Sequence, residues 1–225
     1  YEVQEYNIPV YLKIYEFFDR HYKYKKLVKK INISSKSNIE IILNTTKWII
    51  NNIKKVPEGG DIIDYHPWTI VDRRLGVIDQ FSDLLSVLLV YSKIDSFYIY
   101  KFNKYNYPLT FFKIDNYWSI VDPFYGIFFI DYSGKFSSID NINDNEWTLS
   151  NVELQSINIS NYIDYFGKDF NSYKDVIEQY NEVLKNLPNS KKIESISIFN
   201  RGGRSYIQNP LGRFKYQIYK EILNK

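Results

Sequence analysis

Arg73-Arg74-Leu75-Gly76-Val77-Ile78-Asp79-Gln80-Phe81-Ser82-Asp83 opens the stretch that decides the fold, and Tyr117-Trp118-Ser119-Ile120-Val121-Asp122-Pro123 closes it. Gly76 stands where the chain turns sharply into a helix. From Phe81 the apolar residues recur at Leu84, Leu85, Leu88 and Leu89, with Ile78 one turn earlier. That is the i, i+3, i+4, i+7, i+8 spacing of a helix with one buried stripe. Ser96 to Phe102, Leu109 to Ile114, Tyr117 to Val121 and Tyr125 to Asp131 are rich in aromatic and branched residues and read as strands. Asp115-Asn116 is a two-residue turn between the second and third. Consecutive strands with short turns predict an antiparallel sheet, and the helix must pack on one face of it to bury its stripe. The expected class is α+β, a central helix on an antiparallel sheet with N- and C-terminal helices.

This order resembles the core of the transglutaminase-like superfamily, which has a papain-like fold. In that family a Gly-x-Cys-x-x-Phe/Met-Ala/Ser pattern opens the central helix, a histidine begins a later strand, and Trp-x-x-x-Asp-Pro carries the third catalytic residue. Gly76-Val77-Ile78-Asp79-Gln80-Phe81-Ser82 matches the first pattern except at the nucleophile, and Trp118 to Pro123 matches the last. Phe124-Tyr125-Gly126-Ile127-Phe128-Phe129 looks like the bacterial branch associated with polysaccharide gene clusters. The histidine slot falls at Leu109, or at Thr110 if the alignment shifts by one. The resemblance covers about residues 40 to 135.

The departures from the family bear on function. The triad positions are degenerate: Ile78, Leu109 and Asp122. A thiolate attacks the carbonyl in such a site, an imidazole moves the proton, and the aspartate orients the imidazole. Ile78 is no nucleophile, Leu109 moves no proton, and the chain has no cysteine with which to restore a thiol. The resemblance therefore implies a catalytically inactive member, with apolar side chains filling a former cleft. A second reading stays open, in which Asp122-Pro123 is an ordinary strand-ending turn.

Composition narrows the classes. The 225 residues suffice for one good-sized domain, expected to run from 1 to 225, with a helical part to about 60, a core from 61 to 140 and further helices and a strand beyond. The 22 tyrosines and 15 phenylalanines predict an aromatic core. With 29 basic and 26 acidic residues the net charge is +3, too little to argue for nucleic acid. No apolar run is long enough to span a membrane, and no leader is visible, which favours the cytoplasm. Neither His21 nor His66 has a second histidine or cysteine at ligand spacing, so neither a metal nor another cofactor is expected. Alanine, cysteine and methionine are all absent. That leaves open an altered sequence in which Ile78 stands for an original cysteine.

Around the central stretch, Val10 to Lys30 reads as a helix with Tyr11, Ile14, Tyr15, Phe18 and Tyr22 on one face and a basic end. Ser37-Asn38-Ile39-Glu40 is a capping-box pattern opening a helix to about Lys55. Asp61 to Asp72 reads as a loop. Asn141 to Ser160 reads as polar loop, Tyr173 to Leu187 as a helix, Ile193 to Phe199 as a strand, and residues after Asn209 as a last helix. Residues expected to line a cleft are His66, Trp68, Arg73, Arg74, Gln80 and Trp118. Arg73 or Arg74 could hold a substrate carboxylate or phosphate at the helix start, or pair with Asp72 or Asp79. Arg201 and Arg204 flank a Gly-Gly turn that could bind an anion.

The leading expectation is a binding or accessory module for a glycan or protein partner. Two rivals stand beside it. One is an enzyme of different hydrolase or transferase chemistry using Asp122, Asp79 or His66. The other is a structural assembly subunit that buries an aromatic patch on self-association.

Overall fold

A computed structural model describes residues 9–57, 66–99, 107–151, 173–185, 187–195 and 206–207. Helix α1 (Val10–Ile31) leads to α2 (Asn38–Asn52). Ser37 caps α2, its hydroxyl accepting from the Glu40 N–H, while Glu40 reaches back to the Lys36 N–H. The helix was expected to run to about Lys55. It stops at Asn52 because β1 (Lys54–Lys55) pairs in parallel with β2 (Leu75–Gly76). Between these short strands the expected loop contains α3 (Pro67–Arg73). Pro67 begins α3, where its missing N–H costs nothing.

Helix α4 (Ile78–Tyr91) is the centre of the molecule. Every residue from Gln80 to Leu89 is buried. It is enclosed because α1, α2 and α3 pack on one side of it, and β3 (Ser96–Ile99) and β4 (Leu109–Ile114) on the other. Strands β5 (Tyr117–Asp122) and β6 (Ile127–Ile130) follow. The Asp115-Asn116 turn has φ of 47° and 69°, the left-handed pair that a tight hairpin needs. After β6 the expected polar loop instead holds α5 (Ile139–Asn143), capped by Ser138, and β7 (Thr148–Asn151), which pairs with β6. Helices α6 (Tyr173–Leu184) and α7 (Ser190–Ser195) and strand β8 (Tyr206–Ile207) complete the described chain. The strand expected from Ile193 begins as helix α7, because Asn189 accepts from the Lys192 N–H and starts a helical turn. Residues 196–199 of that expectation, and the last helix, lie outside the described residues.

The six-stranded sheet has the order β7-β6-β5-β4-β3-β8, and every neighbouring pair is antiparallel. The class is α+β. Side-chain alternation divides the core into two layers. The inner layer joins Phe112, Ile114, Val121 and Phe128 to α4 and the N-terminal helices. The outer layer joins Leu109, Phe111, Ile120 and Phe129 to Tyr180, Val183 and Leu184 of α6. Ser82 and Thr110 bind the inner layer together, the Thr110 hydroxyl donating to Ser82 O at 3.1 Å and the Ser82 hydroxyl to Pro108 O at 3.2 Å.

The hairpin turn gives the first test. Replacing Asn116 by valine forces a branched side chain into the left-handed region, at a cost of about 1–2 kcal/mol. Asn116→Gly carries no such penalty. Urea denaturation should order the three proteins accordingly, and equal stability of Asn116→Val and the parent would refute the turn geometry.

Candidate functional site

The approach to α4 is held by backbone pairing. Lys54 N donates to Arg74 O at 2.9 Å and Val56 N to Gly76 O at 3.0 Å. A Cβ at Gly76 would be tight, 3.1 Å from the Phe81 ring and 3.4 Å from Ile53, so a side chain there requires Phe81 to give by a few tenths of an ångström. Val77 has no side-chain oxygen with which to cap α4, and the Gln80 side chain reaches back to the Val77 N–H. Its Oε1 accepts from the Val77 N–H at 3.1 Å and from Arg73 Nη2 at 2.7 Å. Arg73 Nε donates to Leu75 O at 2.7 Å. Arg73 and Gln80 thus join the end of α3 to the first turn of α4.

The other expected cleft residues lie elsewhere. His66 caps α3, its Nδ1 accepting from the Trp68 N–H at 3.1 Å. Trp68 packs edge-on against Tyr24 of α1, with Lys23 Nζ 5.9 Å from its ring centroid. Arg74 is exposed and closes α3 in the left-handed conformation, φ 56°. Trp118 belongs to the outer layer, where its Nε1 donates to Glu194 of α7 at 2.8 Å and Lys113 pairs with the same oxygen at 2.6 Å. The six residues are therefore spread over both faces of the sheet, because strand alternation sends Trp118 away from α4. Arg201 and Arg204 lie outside the described residues.

Asp122 is the chemically distinctive group. It is fully buried, with four donors around it. Tyr107 and Tyr180 hydroxyls donate to Oδ2 at 2.6 and 2.9 Å. Backbone N–H groups of Phe124 and Tyr125 donate to Oδ1 at 3.0 and 3.2 Å. Burial pushes the Asp122 carboxyl above the usual carboxylate range, and the four hydrogen bonds oppose that shift. Burial, with the Asp122 charge next, pushes the Tyr107 hydroxyl well above the usual phenol range. Strand register continues Thr110↔Val121 by one step to Leu109 opposite Asp122. Leu109 is fully buried in the outer layer, whereas Thr110 faces α4. Ile78 is half-buried at the start of α4 and joins neither described core layer. Leu109 thus stands opposite Asp122 in the strand register.

Sequence reading missed a residue that touches both regions. Lys55 pairs with Gly76 across the two short strands, and its Nζ lies 4.4 Å from the ring centroids of both Phe124 and Tyr125. Lys55 is exposed as a residue, yet desolvation of its ammonium lowers its pKa to about 8, against an upward pull from the Asp122 charge. Nothing local could have revealed it, since the pairing joins segments about twenty residues apart. Tyr107 and Tyr180 were equally hidden, because tyrosines on apolar stripes do not announce which carboxylate they meet. Among the described residues no group of three or more His, Cys, Asp or Glu could hold a metal ion, and no helix is long and apolar enough to cross a membrane.

No protein-family model matches this chain, and no curated protein does. Among solved structures, a protein from Cytophaga hutchinsonii, named only provisionally as a cysteine protease, is similar at 22% identity and a TM-score of 0.37. The similarity covers 46% of this chain and 37% of that one.

Two measurements test this geometry. Asp122→Leu strands two hydroxyls and two N–H groups and should cost on the order of 3 kcal/mol or more, whereas Asp122→Asn keeps an acceptor for them and should cost less. Between the ordinary carboxyl pKa and its raised value, the folded protein holds the Asp122 proton more tightly than the unfolded chain. Stability therefore falls as pH rises through that window, and Asp122→Asn removes that slope. Equal loss in Leu and Asn variants by denaturant titration would contradict the assignment. For Lys55, NMR of the reductively methylated protein should show one lysine amine, lost in Lys55→Met, titrating near pH 8 beside the α-amino group. Below its ordinary pKa of 10.5 and above 8, the unfolded chain holds that proton and the folded chain releases it, so this group makes stability rise with pH there. Phe124→Ala should move the midpoint up by admitting water, and Asp122→Asn should move it down. A midpoint above 10 in the parent protein would rule out the desolvated amine.

Proposed function

We propose that this chain is a transglutaminase-like domain of papain-like layout that has lost thiol chemistry and serves as a binding or accessory module. The observation that carries this reading is the occupation of Asp122. A triad aspartate must accept from an imidazole N–H. Here the carboxylate already accepts from two tyrosine hydroxyls and two backbone N–H groups, its strand neighbour Leu109 is apolar, and the chain has no cysteine. The carboxylate acts as an anchor for surrounding segments.

A glycan is the ligand class that the described surface suits. A groove of about 260 Å³ lies between α5 and α6, lined by Asn143, Asn145, Asn181, Trp147, Lys185, Ile142 and Leu184. Amide groups there offer both donors and acceptors to sugar hydroxyls, above a floor that includes the buried Trp147. A second reading has one observation behind it. The Lys55 amine, titrating near 8 and within the field of Asp122, would suit proton transfer in an enzyme of different chemistry.

The test combines turnover and binding. The protein should neither join amines to glutamine peptides nor hydrolyse peptides above the buffer rate. Oligosaccharides should shift the NMR signals of Asn143, Asn145 and Asn181 saturably, and Asn181→Ala should weaken that binding about tenfold. Turnover that disappears in Lys55→Met would overturn the binding-module reading in favour of the second. Turnover that survives it would equally overturn the binding-module reading, and peptide ligands that shift other surfaces alone would overturn the glycan assignment.

A further inference from the structure

Helix α1 presents two different faces. One faces the body: Tyr24 and Val28 are buried, and His21 Nδ1 lies 3.0 Å from the Tyr91 hydroxyl of α4. The other is the predicted stripe, and it is exposed among the described residues. Of the ten exposed large apolar side chains among the described residues, six lie between Tyr11 and Tyr22, so they form one patch and not a scatter. Tyr11, Tyr15, Phe18 and Tyr22 are exposed over 69%, 70%, 63% and 68%. At 100° per residue these four fall within a narrow line, with Ile14 beside them, about 16 Å long.

We propose that α1 pairs antiparallel with α1 of a second copy of this chain through Tyr11, Ile14, Tyr15, Phe18 and Tyr22. Three observations select this occupant. The spacing of the four rings is four, three and four residues, which reads the same in both directions. A two-fold axis between Tyr15 and Phe18 therefore sets each Tyr11 against the partner's Tyr22 and each Tyr15 against the partner's Phe18, the self-complementary arrangement of an isologous interface. The area also suffices. Each ring can bury about 150–250 Å². At roughly two-thirds exposure, four rings and Ile14 offer about 500 Å² per copy, or roughly 1,000 Å² per pair, the lower bound for a specific interface.

Charge fixes the orientation and weighs against a lipid surface. Along the same line of the helix the rings give way to lysine, with Lys25, Lys26 and Lys29 all exposed. A parallel pair would set these like charges against each other, whereas an antiparallel pair separates them and opposes the helix dipoles. Beside the rings themselves, Glu16 pairs with Arg20 and Asp19 with Lys23. That flank is neutral, unlike the continuous basic flank of a helix lying on an anionic membrane. The inference does not rest on the reading of Asp122.

Sedimentation velocity of the whole chain should show a concentration-dependent dimer in the micromolar range. Phe18→Glu should raise its dissociation constant at least about tenfold without changing the thermal midpoint of the monomer. The absence of native cysteine allows a second test of geometry. Tyr11→Cys and Tyr22→Cys proteins, mixed and oxidised, should cross-link to each other in preference to themselves. A monomer at every concentration, or a dimer untouched by Phe18→Glu, would overturn the proposal. Self-cross-linking of Tyr11→Cys would overturn the antiparallel arrangement. A monomer that instead sediments with phosphatidylserine–phosphatidylcholine vesicles, and loses this in Phe18→Glu, would assign the stripe to a membrane.

Discussion

A buried carboxylate ties the outer half of this molecule together. Asp122 ends a central strand, and its four donors come from three places: Tyr107 before β4, the turn at Phe124 and Tyr125, and Tyr180 on α6. An unpaired charge in that position would be intolerable. The donors are thus obligatory, and they fix where α6 docks. Tyr180 is itself fully buried and stacks edge-on with Phe129 at 5.3 Å. The apolar packing of α6 and the polar satisfaction of Asp122 therefore specify the same register, which is stronger than either alone.

On the opposite face, α4 imposes a different constraint. A helix buried over ten consecutive residues must satisfy its few polar side chains internally. Ser86 donates to Asp83 O, Ser82 to Pro108 O, and Gln80 accepts at the helix start. Polar groups that sequence reading would assign to a cleft are consumed in closing the structure. The same holds for Arg73, whose guanidinium bridges α3 and α4.

What the sequence made legible was local. The stripe from Phe81 to Leu89 predicted α4, and Asp115-Asn116 with its flanking strands predicted the central hairpin, because both signals lie within a dozen residues. Ser37 to Glu40 likewise predicted a cap that forms. The misses were non-local or ambiguous. Parallel pairing of Lys54-Lys55 with Leu75-Gly76 shortened α2 and placed Lys55 beside Phe124 and Tyr125, and no periodicity encodes it. Trp118 was assigned to a cleft by its motif, yet alternation from Val121, which packs toward α4, sends it to the far face. The α1 stripe was visible, but periodicity identifies a face without saying whether it meets the core. The burying face uses Phe17, His21, Tyr24 and Val28 at the same spacing, offset by about a third of a turn.

A chain with no alanine, cysteine or methionine has few small or adaptable side chains to fill gaps, and this one fills them with rings. Tyrosine then becomes the residue whose hydroxyl decides its place. Tyr107 and Tyr180 can be drawn inward because Asp122 accepts from both. Tyr91 lies at the boundary, stacked on Tyr24 at 4.9 Å with its hydroxyl at His21. Tyr11, Tyr15 and Tyr22 meet no such acceptor in the described core and remain outside. Their rings are still apolar, so the same composition that builds the two-layer core also leaves one helix face without a partner among the described residues.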